Sequence, residues 1–139
     1  MKPRNSISGA LLVKKPIGIT SSDLVEQVRN TIRKRFQLKF REAPKVGHTG
    51  TLDPFAEGLM IVVIGEGTKL SQYLSELPKT YRGKIEFGTR TESGDKTNPI
   101  LEQKSPPALS AEQIQEAANR FTQSPYWQIP PMHLSLIHI

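Results

Sequence analysis

GHTGTLDPFAEGLMIVVIG, residues 47–65, joins two unlike kinds of chain. Its second half, LMIVVIG (59–65), is apolar throughout, which predicts a strand buried on both faces, since a half-exposed strand would alternate. Its first half, GHTGTLDPFAEG (47–58), sets three glycines around one histidine, two threonines and an Asp-Pro pair, the composition of an irregular loop. A lone carboxylate, Asp53, stands in the middle of that loop with a stiff proline behind it.

Upstream, GALLV (9–13) reads as a short buried strand and KKPIGIT as a turn punctuated by Pro16 and Gly18. In SSDLVEQVRNTIRKRF, Leu24, Val25, Val28, Ile32 and Phe36 recur at helical spacing, with Asp23 and Glu26 as a capping box. QLKFREAPKV shows no period and reads as a basic loop. Downstream, EGTKLSQYLSEL predicts a helix with Leu70, Tyr73, Leu74 and Leu77 on one side. KTYRGKIEFG alternates, with Tyr81, Ile85 and Phe87 on one face, and predicts a half-exposed strand. TRTESGDKTNP is a loop, and SAEQIQEAANRF a helix opened by a Ser110 capping box, with Ile114, Ala117, Ala118 and Phe121 inward. Helices and strands mix without a βαβ rhythm, so the fold class is α+β or irregular α/β.

The 139 residues allow one modest domain. The absence of cysteine excludes disulfides, thiolate nucleophiles and Cys-ligated zinc. No stretch is long and apolar enough for a signal peptide or a membrane span, so a soluble, cytoplasmic protein is expected. The net charge of +6 is concentrated: residues 29–45 carry seven basic side chains (Arg29, Arg33, Lys34, Arg35, Lys39, Arg41, Lys45) against Glu42, and the rest of the chain is neutral. Such a cluster suits a polyphosphate surface, because neutralising phosphates releases condensed counterions. A solvated helix end is the bland alternative.

Three other signals carry less. VIGEGTKL resembles a phosphate-cradling turn but has Leu70 where GxGxxG needs its third glycine, so an ordinary strand-to-helix turn is the better reading. His48, His133 and His138 lie at no metal-ligand spacing. Ser21 and Ser22 read as helix-start residues. For Asp53 two readings stay open on spacing alone. One is an N-cap with Pro54 at the first helical position. The other is an exposed nucleophile or base in a loop whose glycines, Gly47 and Gly50, allow unusual dihedrals or close ligand approach.

At these residues a resemblance becomes specific. GHTGTLDPFAEG resembles the catalytic loop of the TruB-type tRNA pseudouridine synthases, GHTGTLDPLATG. GALLVKKPIGITS, GEGTKLSQYL, KTYRGKIEFGTRTESGD and QIPPMH resemble further family segments in the same order. The resemblance implies a mixed, largely antiparallel α+β sheet flanked by helices and loops. It further implies isomerisation of a T-loop uridine of tRNA (position 55 in tRNA nomenclature) to pseudouridine, by a monomer that uses neither metal nor organic cofactor. By that resemblance Asp53 is the catalytic aspartate, His48 fills the space of an everted base, and Tyr81 stacks on the uracil. Gly47, Gly50, Thr51 and Pro54 shape the loop. Lys15, Arg33, Arg35, Lys39, Arg41, Lys69 and Arg90 are the candidate RNA-backbone contacts, and Asp95 is a structural partner.

This sequence departs from the family at Lys14 (often Asp), Phe55 (usually Leu) and Glu57 (usually Thr). The basic partner of the aspartate and the apolar residues that close over the uracil are expected beyond this chain. Residues 1–133 then form the first part of a catalytic domain, inactive or unfolded by itself. LSLIHI (134–139) is expected to be a non-native tail, because CTG TCT CTT ATA CAC ATC encodes it and matches a transposon end used in sequencing libraries. The rival classes are a non-catalytic RNA-binding module, which leaves GHTGTLDPFAEG idle, and a nucleotide binder using GEGTK.

Overall fold

A computed structural model of the chain describes residues 7–123. The expectations for QIPPMH, LSLIHI, His133 and His138 fall outside the described residues. Two compact units divide between Tyr81 and Arg82. The α+β class and the antiparallel pairing expected from the sequence are both present.

The first unit is organised around the apolar strand. β1 (Gly9–Lys15), β2 (Val46–His48) and β3 (Gly58–Ile64) form an antiparallel sheet in the order β1-β3-β2. As the centre strand, β3 is buried at Met60, Val62, Val63 and Ile64, which is why its sequence does not alternate. α1 (Ser21–Arg35) covers the sheet with Leu24, Val25 and Ile32, and Val46 completes the cluster. At roughly 25 cal/mol per Å² of apolar surface removed from water, each such side chain stabilises by about 1.5–3 kcal/mol, so this small cluster carries the unit.

Several local readings shift. GALLV is an edge rather than a buried strand: Leu11 and Leu12 are exposed, because among the described residues β1 has a neighbour only in β3. The capping box of α1 is Thr20 with Asp23, three residues earlier than expected. The Thr20 hydroxyl accepts from the Asp23 N–H at 3.0 Å, and the Asp23 carboxylate accepts from the Thr20 N–H at 2.8 Å. The Thr20 hydroxyl also donates to the Asp23 carboxylate at 2.7 Å, and this bond, with that from the Thr20 N–H, holds the Asp23 carboxyl below its ordinary value. The helix stops at Arg35, so Phe36 falls off the apolar stripe and is exposed. After β3 the chain winds through a 3-10 stretch, Gly65–Leu70, into a five-residue α2 (Ser71–Ser75); Leu70, Tyr73 and Leu77 are exposed.

In the second unit, β4 (Thr89–Thr91) and β5 (Ile100–Gln103) form a hairpin, followed by α3 (Ala111–Thr122). The strand expected over KTYRGKIEFG does not form, and residues 81–86 are irregular. Alternation makes a strand only where a neighbour supplies the ladder, and among the described residues the pairing begins at Thr89. The Ser110 capping box of α3 is as expected, with Gln113 as its reciprocal partner. Its stripe is exposed rather than buried, at Ile114 and Phe121.

Candidate active site

β2 and β3 are the two arms of a hairpin, and residues 49–57 are its loop. Thr49 extends the ladder by donating to the Ile61 carbonyl at 3.1 Å and is itself buried. Beyond it no helix begins. Ala56 N–H donates to the Asp53 carbonyl at 3.0 Å, so Asp53–Ala56 is a β-turn with Pro54 at its second position, where the fixed φ of proline suits it. The capping reading of Asp53 is therefore overturned. A cap needs free helical N–H groups ahead of it, and this turn provides none. The Asp53 carboxylate is exposed and has no hydrogen-bond or ion-pair partner among the described residues.

The main chain on either side of that carboxylate is fastened to the segment that leads into α1. Ser21, 3% exposed, donates its hydroxyl to the Leu52 carbonyl at 3.0 Å and accepts the Leu52 N–H at 2.9 Å. Gly18 N–H donates to the Pro54 carbonyl at 2.8 Å. Gly18 has φ +93°, a region that side chains other than glycine rarely adopt, so the KKPIGIT turn needs it. Ser21 thus does more than start a helix. The partners are 31 residues apart, and no local pattern in the sequence signals the clamp.

Lys15 corrects a sequence expectation. It is fully buried, and its ammonium donates to the carbonyls of Pro16 (3.0 Å) and Ile19 (2.7 Å). A buried charge is tolerable only when hydrogen-bonded, and here backbone carbonyls of the turn satisfy it. The ammonium therefore braces the turn and offers no face to a phosphate. Gly47 and Gly50 also differ from expectation. Neither has a left-handed φ, and an added Cβ would meet only ordinary contacts, with Val63 at 3.9 Å and Lys79 at 3.8 Å. The latter contact places Lys79, a cation not singled out from the sequence, beside the loop. Thr51 is exposed in the loop.

His48 ends β2, two positions before Gly50, and its Nδ1 is buried without a hydrogen-bond partner among the described residues. It lines an open depression of about 650 Å³ between α1 and β2, with Glu26, Arg29 and Val46. Arg29 is tied up there by the Glu26 carboxylate. Tyr81, the last residue of the first unit, is 70% exposed on irregular chain rather than on a strand face.

The basic segment divides. Arg33 is half-buried, bonded to Asn30 at 3.1 Å and stacked over Phe40 at 5.2 Å. Arg35, Lys39 and Arg41 are exposed, with no carboxylate partner among the described residues, since the Glu42 carboxylate caps the Lys39 N–H at 2.9 Å. Lys69 is exposed but paired with Glu66 at 2.5 Å, which raises the lysine pKa and lowers that of the glutamate. Arg90 lies in the second unit, with its Nε 3.8 Å from Glu102 across the β4–β5 ladder. Two of the family departures meet each other: Lys14 and Glu57 form an exposed ion pair at 3.1 Å at the loop's exit.

The phosphate-cradle reading of GEGTK fails on hydrogen bonding. Gly65 N–H already donates to the Lys45 carbonyl (2.8 Å) and Glu66 N–H to the Ser8 hydroxyl (3.0 Å), so the first two donors of the turn are not free for a phosphate. The glycines serve packing instead, as a Cβ on Gly67 would lie 2.3 Å from the Gly9 carbonyl oxygen. Asp95 has the structural role expected of it. Its carboxylate gathers Ser93, Thr97 and Asn98, which holds its pKa far below the ordinary carboxylate range. Among the described residues no group of His, Cys, Asp or Glu could hold a metal ion, and no helix is long and apolar enough to cross a membrane.

The model of the TruB family pseudouridylate synthases (N-terminal domain) matches residues 33–138. The chain belongs to that family. It is 39% identical over 133 residues to a tRNA pseudouridine synthase B of Marinomonas sp. (strain MWYL1), covering 96% of this chain and 40% of that protein. The corresponding protein of Opitutus terrae is 38% identical over 136 residues, covering 98% and 52%. That of Thiobacillus denitrificans is 40% identical over 139 residues, covering 99% and 43%. The chain thus spans about half, or less, of the length of these relatives.

Proposed function

We propose that this chain is the N-terminal part, residues 1–133, of a tRNA pseudouridine synthase that isomerises the T-loop uridine at position 55, with Asp53 as the catalytic carboxylate and residues 134–139 a non-native tail. The observation that carries the reading is the exposed, unpartnered Asp53 carboxylate on a loop whose flanking peptides are both fastened. A nucleophile or base must be accessible and held still, and this arrangement meets both needs. The relatives are named as tRNA pseudouridine synthase B, which supports the substrate class.

The reaction breaks the N1–C1′ bond and forms C5–C1′; C5 gives up a proton and N1 gains one, so nothing is consumed. Asp53 reaches the ribose or the base once the uridine leaves the stack, at a cost of a few kcal/mol. His48, at the end of β2, occupies the vacated space. Tyr81 stacks on the uracil, which is worth ~1–3 kcal/mol and offsets much of that cost. Arg35, Lys39 and Arg41 meet the RNA backbone.

The test is conversion of a T-stem-loop RNA by the complete gene product, read by chromatography of the nucleoside digest. Asp53→Asn lowers turnover by about 10³-fold or more while RNA binding stays within a few-fold. Undiminished turnover in that variant refutes the assignment. RNA binding by the unmodified protein with no pseudouridine in the digest favours a non-catalytic RNA-binding module.

A further inference from the structure

We infer that Ser21 is a positioning residue for catalysis: its buried hydroxyl brackets the Leu52 peptide and thereby fixes where the Asp53 carboxylate points. The inference rests on the reading of Asp53 as the catalytic group. Its basis is geometric. A single hydroxyl satisfies both polar groups of one residue, donating to the Leu52 carbonyl at 3.0 Å and accepting the Leu52 N–H at 2.9 Å. That residue immediately precedes Asp53, and its side chain packs on the core cluster. Ser21 is itself buried, 3% exposed, in the first turn of α1.

The β-turn at Asp53–Ala56 and the Gly18–Pro54 bond hold the far side of the carboxylate. On the near side, among the described residues, the Ser21 bracket supplies the hydrogen bonds to the main chain next to Asp53, because Gly50 and Thr51 are exposed and Thr49 is the last residue bonded to the β3 ladder there. Without the hydroxyl, both Leu52 backbone groups lose their partner, and the dihedrals that aim Asp53 are free to rotate. A carboxylate misplaced by about 1 Å costs on the order of 10²-fold in rate without altering how the RNA is held.

The role separates from mere support of the fold by comparison with Thr20. The Thr20 hydroxyl caps the same helix turn through Asp23 and, among the described residues, makes no hydrogen bond to the loop. In the complete enzyme, Ser21→Ala is expected to lower kcat by about 10–100-fold with KM for the stem-loop changed less than about threefold. Ser21→Thr, which keeps the hydroxyl, restores kcat to within about threefold of the parent. Thr20→Ala lowers the melting temperature and leaves kcat near the parent value.

Three results overturn the inference. One is an unchanged kcat in Ser21→Ala. Another is a fall of kcat in Thr20→Ala as large as that in Ser21→Ala, which would reduce the hydroxyl to helix support. The third is read on the unmodified protein, whatever the variants do: a Leu52 amide that exchanges with solvent as fast as an open-loop amide has no clamp. Asp53→Asn run alongside keeps the two ideas apart. Loss of activity there with a normal Ser21→Ala sinks only the positioning role, whereas an active Asp53→Asn sinks the catalytic assignment.

Discussion

Replacing Gly67 by alanine isolates a packing constraint that decides between two readings of GEGTK. Gly67 is buried, and its φ is not in the left-handed region, so alanine meets no backbone penalty there. The obstacle is steric. The new Cβ would lie 2.3 Å from the Gly9 carbonyl oxygen and 2.9 Å from its carbon, where ordinary contact starts at 3.4 Å. Both partners are main chain, so one must move by about 1 Å, and Gly9 is the residue paired with Ile64 at the start of the β1–β3 ladder. Overpacking of this kind costs about 1–3 kcal/mol. Removing a glycine from the unfolded chain gives back about 0.4–1 kcal/mol. The net loss is about 1–2 kcal/mol, a fall in melting temperature of roughly 4–16 °C for a separately melting unit of this size. Thermal denaturation of the complete protein reads it, with ATP titration alongside. A variant that melts at or above the parent temperature refutes the packing argument, and saturable ATP binding that the substitution abolishes would revive the phosphate cradle.

Two further outcomes test other parts of the molecule. Substituting Arg35, Lys39 and Arg41 by alanine, singly and together, weakens binding of stem-loop RNA, and the slope of log K against log salt flattens by about 0.7–0.9 for each phosphate left without its cation; an unchanged slope removes these side chains from the interface. The Asp95 carboxyl is held below its ordinary value of 3.8 by Thr97 and Ser93, so its contribution to the β4–β5 hairpin is fully present above pH 3.8 and is lost only as the pH falls through the lower, folded value. Protection of the Thr97 amide, taken relative to its intrinsic acid-catalysed exchange rate, therefore persists down to that range and falls below it, and loosening near neutral pH contradicts the assignment.

The sequence alone determined what is local or what is chemical. β3 is legible because a centre strand must be apolar on both faces, and α1 because one stripe of Leu24, Val25 and Ile32 faces a core. The Ser110 box is legible because its partner is three residues away. Asp53 stood out through the company it keeps, and the basic excess could be counted.

What only the tertiary structure decided involves partners far apart in the chain. That Lys15 is a buried brace, that Leu11 and Leu12 lie on an exposed edge, and that residues 81–86 never become a strand all depend on which neighbours are present, and no window of sequence contains them. The Ser21–Leu52 clamp spans 31 residues, and the Gly67–Gly9 approach joins the turn after β3 to the start of β1. Periodicity reports the face a side chain prefers. It does not report what stands opposite, and burial, hydrogen-bond satisfaction and the aim of a carboxylate are all set by what stands opposite.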